Sequence, residues 1–374
     1  MTDRILARYR IEAPTKEAAE AVASAAAVEQ TIECPLELVQ GTWIADTIVG
    51  RVETLSEKEH AVWDASISYD PLCCGGEMTE LLNMLFGNTS LQPGIRLESF
   101  TLPAALYEFY KGPRFGIEGL RRLTGVERGP LLMSAVKPMG RSAEELARMV
   151  YDLALGGCPL IKDDHSLYNQ SWAPFEDRVA ACAEAVAAAN RKTGGKSLYI
   201  ANTSADGSHF LERSYKAKEL GAGGIMASPG LIGFSLIREL TADDDFGLPV
   251  FLHPCFAGGQ VLSQDHGYAP ECWYGAFSRL AGADAVIFTS FGGRFSFSPA
   301  LCRSIAESIR TPMGPLAPAF PIPSGGMKWQ LFRDMYHLYG DDAIFLVGGA
   351  LQTEGPSLTE NTRFFLKKLK EAQE

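Results

Sequence analysis

From about residue 126 onward, eight short apolar runs alternate with seven helix-compatible segments. This alternation constrains the chain more than any other feature. The runs are Leu131–Val136, Leu160–Lys162, Leu198–Ala201, Gly224–Ala227, Val250–Leu252, Ala285–Phe288, Ala319–Ile322 and Ile344–Val347. The intervening segments are Glu144–Leu155, Phe175–Arg191, Phe210–Leu220, Leu231–Leu240, Pro270–Leu280, Pro299–Ile309 and Trp329–Tyr339, with a last helix near Glu360–Ala372. Strands buried on both faces read as unbroken apolar runs, and strands separated by helices build parallel βαβ units. Eight such units predict a (β/α)8 TIM barrel over residues 126–374. A doubly wound sheet is the competing layout, but it normally needs fewer strands.

Residues 1–125 have a different texture. Ile5, Ala7, Tyr9 and Ile11 alternate with polar residues, which predicts a strand over 4–13. Thr15 is a suitable N-cap for a helix running to about Ala27, with Glu17 and Glu20 in its early turns. Further strands fit Ile48–Leu55, Ala61–Tyr69 and Arg96–Leu102, and Glu77–Phe86 fits a helix. Strands and helices here do not alternate strictly, so this half is predicted to be a small α+β domain.

The formal net charge of −11 argues against nucleic acid or an anionic membrane as the main partner. It leaves room for a local basic pocket. The eight cysteines form no C-x-x-C pair, only a Cys73-Cys74 neighbour pair, which suits reduced thiols in a cytoplasmic protein. The start, through Asp3-Arg4-Ile5-Leu6, has no apolar signal region, and no apolar stretch is long enough for a membrane span.

In a barrel of this kind, chemistry sits just past the C-terminal ends of the strands. The first strand ends in Lys137-Pro138, which puts an amine at the mouth. The second ends in Lys162-Asp163-Asp164-His165. Alternate residues of a strand face one way, so Lys162 and Asp164 converge, with His165 opening the loop. Asp and His ligate metals, and a neutral Lys162 that takes up CO2 becomes a carbamate, a second anionic ligand. Against this stands the plainer reading of a charged loop that caps a helix. The seventh and eighth strands end in Ser324-Gly325-Gly326 and Gly348-Gly349, where glycine lets backbone N–H groups approach a phosphate. The loop after the sixth strand carries Gly292-Gly293-Arg294 and can bring Arg294 to such a phosphate. His253, after the fifth strand, is either catalytic or a packed structural residue.

Taken together, these motifs resemble the large subunit of RuBisCO, and more closely its non-carboxylating relatives, the RuBisCO-like proteins of form IV. The resemblance runs through Val28-Glu29-Gln30-Thr31, Phe86-Gly87-Asn88, Arg96-Leu97-Glu98, Lys111-Gly112-Pro113-Arg114-Phe115-Gly116 and the barrel motifs above. It implies a carbamylated Lys162 and Asp164 as metal ligands, Mg2+ as the metal, and Lys137 as the group that handles the substrate proton. It implies phosphate binding by Ser324, Gly325, Gly326, Gly348 and Gly349. It also implies homodimers, or assemblies of dimers, in which Glu29 and Asn88 reach the partner's active site. Asn202, after the third strand, resembles in type a family asparagine near the metal.

Departures from the family pattern bear on the reaction. Carboxylases carry Lys-Pro-Lys after the first strand, and here the second lysine is Met139. Their third metal ligand is Glu, here His165; the mobile-loop lysine is matched by Arg294; and the His-Arg pair after the fifth strand becomes Cys255-Phe256. What remains suits enolisation of a small phosphorylated keto-sugar rather than CO2 fixation. An isomerase or enolase of a methylthioribulose-type phosphate is the leading expectation, because Phe256, Phe291 and Phe295 offer an apolar wall for a thiomethyl tail. The alternatives are a decarboxylase, transcarboxylase or hydrolase of a branched oxo-sugar-acid phosphate of the 3-oxo-isoapionate 4-phosphate type, and a non-catalytic binding or regulatory relative.

Overall fold

The computed structural model describes residues 3–295 and 297–374, so the first two residues of the N-terminal reading lie outside it. The N-terminal unit is a five-stranded sheet in the order β10-β4-β1-β3-β2. Its members are β1 (Ile5–Glu12), β2 (Arg51–Glu59), β3 (Val62–Tyr69), β4 (Ile95–Thr101) and the short β10 (Gly267–Tyr268). The first four pair antiparallel. The helix Lys16–Glu29 starts where Thr15 accepts a hydrogen bond from the Ala18 N–H, and it buries Ala19, Ala23, Ala26 and Ala27. Small side chains on that face let the helix approach the sheet closely.

Two local expectations are corrected. The second strand is not Ile48–Leu55 but β2, which starts and ends later; Ile44–Ile48 is a helical turn. As an exposed edge strand β2 buries no face, so no apolar alternation marks its ends. The strand β10 was not foreseen. It comes from the barrel half and pairs parallel with β4, tying the two halves together. Two residues of pairing leave no periodicity to read.

The barrel is closed, not doubly wound. Its strands are β5 (Leu131–Val136), β6 (Leu160–Asp163), β7 (Leu198–Asn202), β8 (Gly224–Ala227), β9 (Val250–Leu252), β11 (Ala285–Thr289), β12 (Phe320–Ser324) and β13 (Ile344–Leu346). The order β12-β11-β9-β8-β7-β6-β5-β13 is parallel throughout, and β12 lies against β13 to complete the ring. All eight expected strands are present within two residues of their expected bounds.

The helix Gly116–Thr124 closes the floor of this barrel. Ile117 and Leu120 pack into the interior with Leu131, Met133, Leu160, Phe251, Ile287 and Ile322. The N–H groups of Phe115 and Gly116 donate to Asp284 Oδ1 at 2.6 and 2.8 Å, and the Val250 N–H donates to its Oδ2 at 2.9 Å. By packing, this helix belongs with the barrel although it precedes the boundary at residue 125. All eight cysteines are free thiols. Among the described residues no helix is long and apolar enough to cross a membrane.

Candidate active site at the barrel mouth

Strand alternation sets the directions of the side chains in the Lys162–Asp163 pair. Leu160 faces the barrel interior and Ile161 the surrounding helices, so Lys162 turns inward and Asp163 outward. Lys162 is 2% exposed, and its Nζ donates to the Asp163 carbonyl at 2.7 Å. Burial lowers its pKa to about 8; Asp164 and Asp163 oppose that shift and Lys137 adds to it. An amine so shifted has a substantial neutral fraction near pH 8, the form that reacts with CO2.

Asp164 sits at the centre of the mouth. Its Oδ1 accepts from the Ser166 N–H at 3.2 Å and the Ser166 hydroxyl at 2.8 Å, with His165 Nδ1 at 3.2 Å. Its Oδ2 lies 3.6 Å from Lys137 Nζ. Burial opposes ionisation of this carboxyl. The His165 and Ser166 hydrogen bonds and the charge of Lys162 more than offset it, holding the group well below the usual carboxylate range. Lys137 lies close over the Gly348 backbone: a Cβ at position 348 would stand 3.0 Å from both Cε and Nζ of the lysine.

His253 joins the cluster from the end of β9. Its ring lies 4.6 Å from that of His165 and 5° from parallel. Its Nδ1 accepts the Cys255 N–H at 3.1 Å, which assigns the proton to Nε2. Burial, then the neighbouring Lys162 and His165, hold its pKa well below the ordinary histidine value.

Opposite this cluster, the loops after β11 and β12 are joined. The Ser290 N–H donates to the Ser324 carbonyl at 2.8 Å and the Arg294 N–H to the Gly325 carbonyl at 2.7 Å. Gly325 and Gly326 adopt φ of +103° and +100°, which L side chains rarely do. A Cβ at Gly293 would fall 2.1 Å from the Gly325 carbonyl oxygen. Exposed Arg294 therefore lies beside the glycine loop, its guanidinium over the Phe295 ring. Gly349 opens the short helix Gly349–Thr353, with open space around its Cα.

Asn202, likened to a family asparagine near the metal, donates its amide nitrogen to the His165 and Leu167 carbonyls at 3.0 and 2.9 Å. Both of its hydrogens are used in holding the loop after β6. Phe291 was expected in an apolar wall, but it packs against Tyr339; Phe256 and Phe295 alone of the three stand exposed. Within the chain, Glu29 and Asn88, expected to reach the partner's site, meet each other: Asn88 Nδ2 donates to Glu29 Oε1 at 2.9 Å and to Glu33 Oε1 at 3.0 Å. Glu33 and the outward Asp163 were missed. For Asp163, the period-two alternation was the available signal.

Among the described residues, no three His, Cys, Asp or Glu side chains converge as a ready metal cage. Asp164 and His165 supply two donors. A proton on His165 Nδ1, given to Asp164, leaves Nε2 bare in the ligating form. A carbamate on inward-facing Lys162 would bring the donors to three, and a turn of the His165 ring would be needed for its Nε2 to share a cation with Asp164.

The family profile for the ribulose bisphosphate carboxylase large chain, catalytic domain, matches residues 116–354. The chain is 38% identical over 365 residues to ribulose bisphosphate carboxylase-like protein 1 of Rhodopseudomonas palustris, covering 98% of this chain and 97% of that one. It is 37% identical over 367 residues to the 5-methylthioribulose-1-phosphate isomerase of Rhodospirillum rubrum, covering 98% and 96%. The crystal structure of a Rubisco-like protein from Rhodopseudomonas palustris superposes with a TM-score of 0.88 at 36% identity over 99% of both chains.

Proposed function

Because the chain belongs to the ribulose bisphosphate carboxylase large-chain family, among its RuBisCO-like proteins, we propose that it isomerises a 5-methylthioribulose-type phosphate through an enolate. The observation that carries this reading is the meeting of Lys137, buried Lys162 and Asp164 at one mouth, Lys137 Nζ lying 3.6 Å from Asp164 Oδ2. Lys162 as carbamate, Asp164 and His165 hold the divalent cation, Mg2+ in the first instance. When bound, such an ion polarises the substrate carbonyl and lowers the cost of negative charge on its oxygen.

The chain's own groups do the rest. Lys137 takes the proton from the carbon beside the carbonyl and returns one to the neighbouring carbon. Gly325, Gly326 and Gly349 offer backbone to the phosphate, with Arg294 alongside. His253 donates through Nε2–H. Phe256 and Phe295 flank the thiomethyl tail. Met139 stands where carboxylases place a second lysine, so this mouth has no amine there for CO2 addition.

The same reading includes a homodimer, or an assembly of dimers, with shared sites. Glu29, Glu33 and Asn88 form a polar trio at the surface, Glu29 partly buried, and large apolar side chains nearby in sequence, Leu36, Leu38 and Trp43, are exposed. The direct test is 1H NMR of 5-methylthioribulose 1-phosphate in deuterated water with Mg2+ and bicarbonate. Solvent deuterium should enter the carbon beside the carbonyl, with the isomer accumulating. Substrate that stays unlabelled and unchanged with metal-loaded protein rejects the reading.

A further inference from the structure

The acidic residue between Lys162 and Asp164 does different work from its neighbours. Asp163 is fully buried on the outer face of β6. Its Oδ1 accepts the Tyr199 hydroxyl at 2.7 Å. Its Oδ2 accepts Arg178 Nε at 3.2 Å and the Asn202 N–H at 3.0 Å. Arg178, also fully buried, donates from Nη1 to the Tyr168 and Ala173 carbonyls at 2.8 and 3.2 Å. Asn202 in turn holds the carbonyls of His165 and Leu167. One carboxylate therefore ties together the end of β6, strand β7, the helix Phe175–Thr193 and the loop of residues 165–173.

We propose that Asp163 is a positioning residue, and that its network with Tyr199, Arg178 and Asn202 fixes the spacing of Lys162, Asp164 and His165 for a divalent cation. The proposal rests on the reading of those three residues as ligands. The physical reason is geometric. Lys162 and Asp164 are the immediate chain neighbours of Asp163, so anchoring its backbone anchors theirs. His165 begins a loop in which the carbonyls of His165, Leu167, Tyr168 and Ala173 are held by Asn202 and Arg178, groups that themselves bond Asp163. A buried ion pair offers little net stability against an apolar replacement. Its usefulness here is the direction it imposes, as with partners that orient metal-binding side chains from behind.

The experiment reads Mn2+ affinity by electron paramagnetic resonance in bicarbonate, with thermal unfolding in parallel. Tyr199→Phe removes one hydroxyl donor to Asp163 and leaves the ring. Tyr69→Phe removes the 2.9 Å hydroxyl contact with Tyr9 in the N-terminal unit, a buried loss of the same kind remote from the mouth. Tyr199→Phe should raise the Mn2+ Kd by roughly tenfold, and Asp163→Asn by more, in the range of about 10- to 100-fold known for such partners. Tyr69→Phe should leave it unchanged despite a comparable shift in unfolding temperature. Amide hydrogen exchange over residues 163–170 should quicken in Tyr199→Phe alone. If wild type binds Mn2+ and Tyr199→Phe binds it equally well, or Tyr69→Phe weakens it as much, the positioning role is overturned. If wild type binds no Mn2+, the ligand assignment itself is wrong, and the positioning role falls with it.

Discussion

The imidazoles of His165 and His253 lie face to face, 4.6 Å between centroids and 5° from parallel. One comes from the loop after β6 and the other from the end of β9, so the stack spans the mouth. Two charged rings at that separation would repel, and burial already keeps His253 neutral. With Nδ1 of His165 turned to Asp164, Nε2 is the ring nitrogen left for a cation.

That nitrogen sets the first prediction. A mixed nitrogen and oxygen site should prefer Mn2+, Co2+ or Zn2+ over Mg2+ more strongly than an all-oxygen site. His165→Glu should improve Mg2+ affinity relative to Mn2+ by about tenfold, an order-of-magnitude expectation from ligand hardness. Competition between Mg2+ and Mn2+, followed by the Mn2+ resonance, measures it. An unchanged ratio means His165 is not a ligand.

The second prediction concerns Lys162. Carbamylation joins the neutral amine to CO2 and releases one proton. With the amine shifted down to about 8, its neutral fraction rises as pH rises from 7 to 9, and activation of CO2-stripped protein should speed up across that range. Lys162→Ala should lose the carbamate carbon signal in 13C NMR, tight metal binding and proton exchange together. Full activity of stripped protein in the presence of a chelator would falsify the metal-assisted route.

A third prediction tests the barrel floor. Burial raises the Asp284 carboxyl to about 6, although three backbone N–H groups oppose the shift. The unfolded value is about 3.9, so between pH 4 and 6 the folded state holds the proton more tightly. Stability from this group is therefore greatest below about pH 4 and declines as pH rises through 6. The total change is on the order of 2–3 kcal/mol. Asp284→Asn cannot ionise, so the difference in unfolding free energy between it and wild type should drift by that amount across the window and be flat above pH 7. A difference that is constant with pH removes the argument.

The fourth prediction addresses assembly. Glu29→Ala and Lys137→Ala chains, each inactive alone, should regain activity when mixed and refolded, up to about a quarter of wild type by random pairing of two-chain sites. Mixed dimers that form and remain inactive exclude shared sites.

A fifth concerns specificity. Phe256 is 77% exposed and holds a left-handed φ of +66°, a strained state for a bulky residue. Gly230 lets it do so, since a Cβ there would press on Cys255 and Phe256 backbone at 2.8 and 3.0 Å. Phe256→Ala should raise KM for a methylthio substrate by roughly tenfold, about the worth of one apolar contact, with little change in kcat. An equal fall in kcat would point to a catalytic rather than a binding role.

The barrel was legible because its strands are buried on both faces, and such strands show as apolar runs whatever surrounds them. The strand β2 and the two-residue β10 were not, since an exposed edge and a short pairing carry no periodic signal. The mouth motifs were legible as residue types at strand ends: Lys137, Lys162, Asp164, His165 and the Ser324–Gly326 loop all lie where the barrel rule places them.

By itself, the sequence determined the barrel, the ionisable run at the end of β6, and, through period-two alternation, the inward direction of Lys162 and Asp164. Only the tertiary structure decided what each neighbour does. It spends the Asn202 amide on loop carbonyls, buries Asp163 against Arg178 and Tyr199, stacks His253 on His165, and lays Lys137 close over Gly348. The reason is range. Alternation along a strand is a local property of the backbone. Hydrogen-bond partners 15 to 39 residues away are set by how the elements pack around the ring.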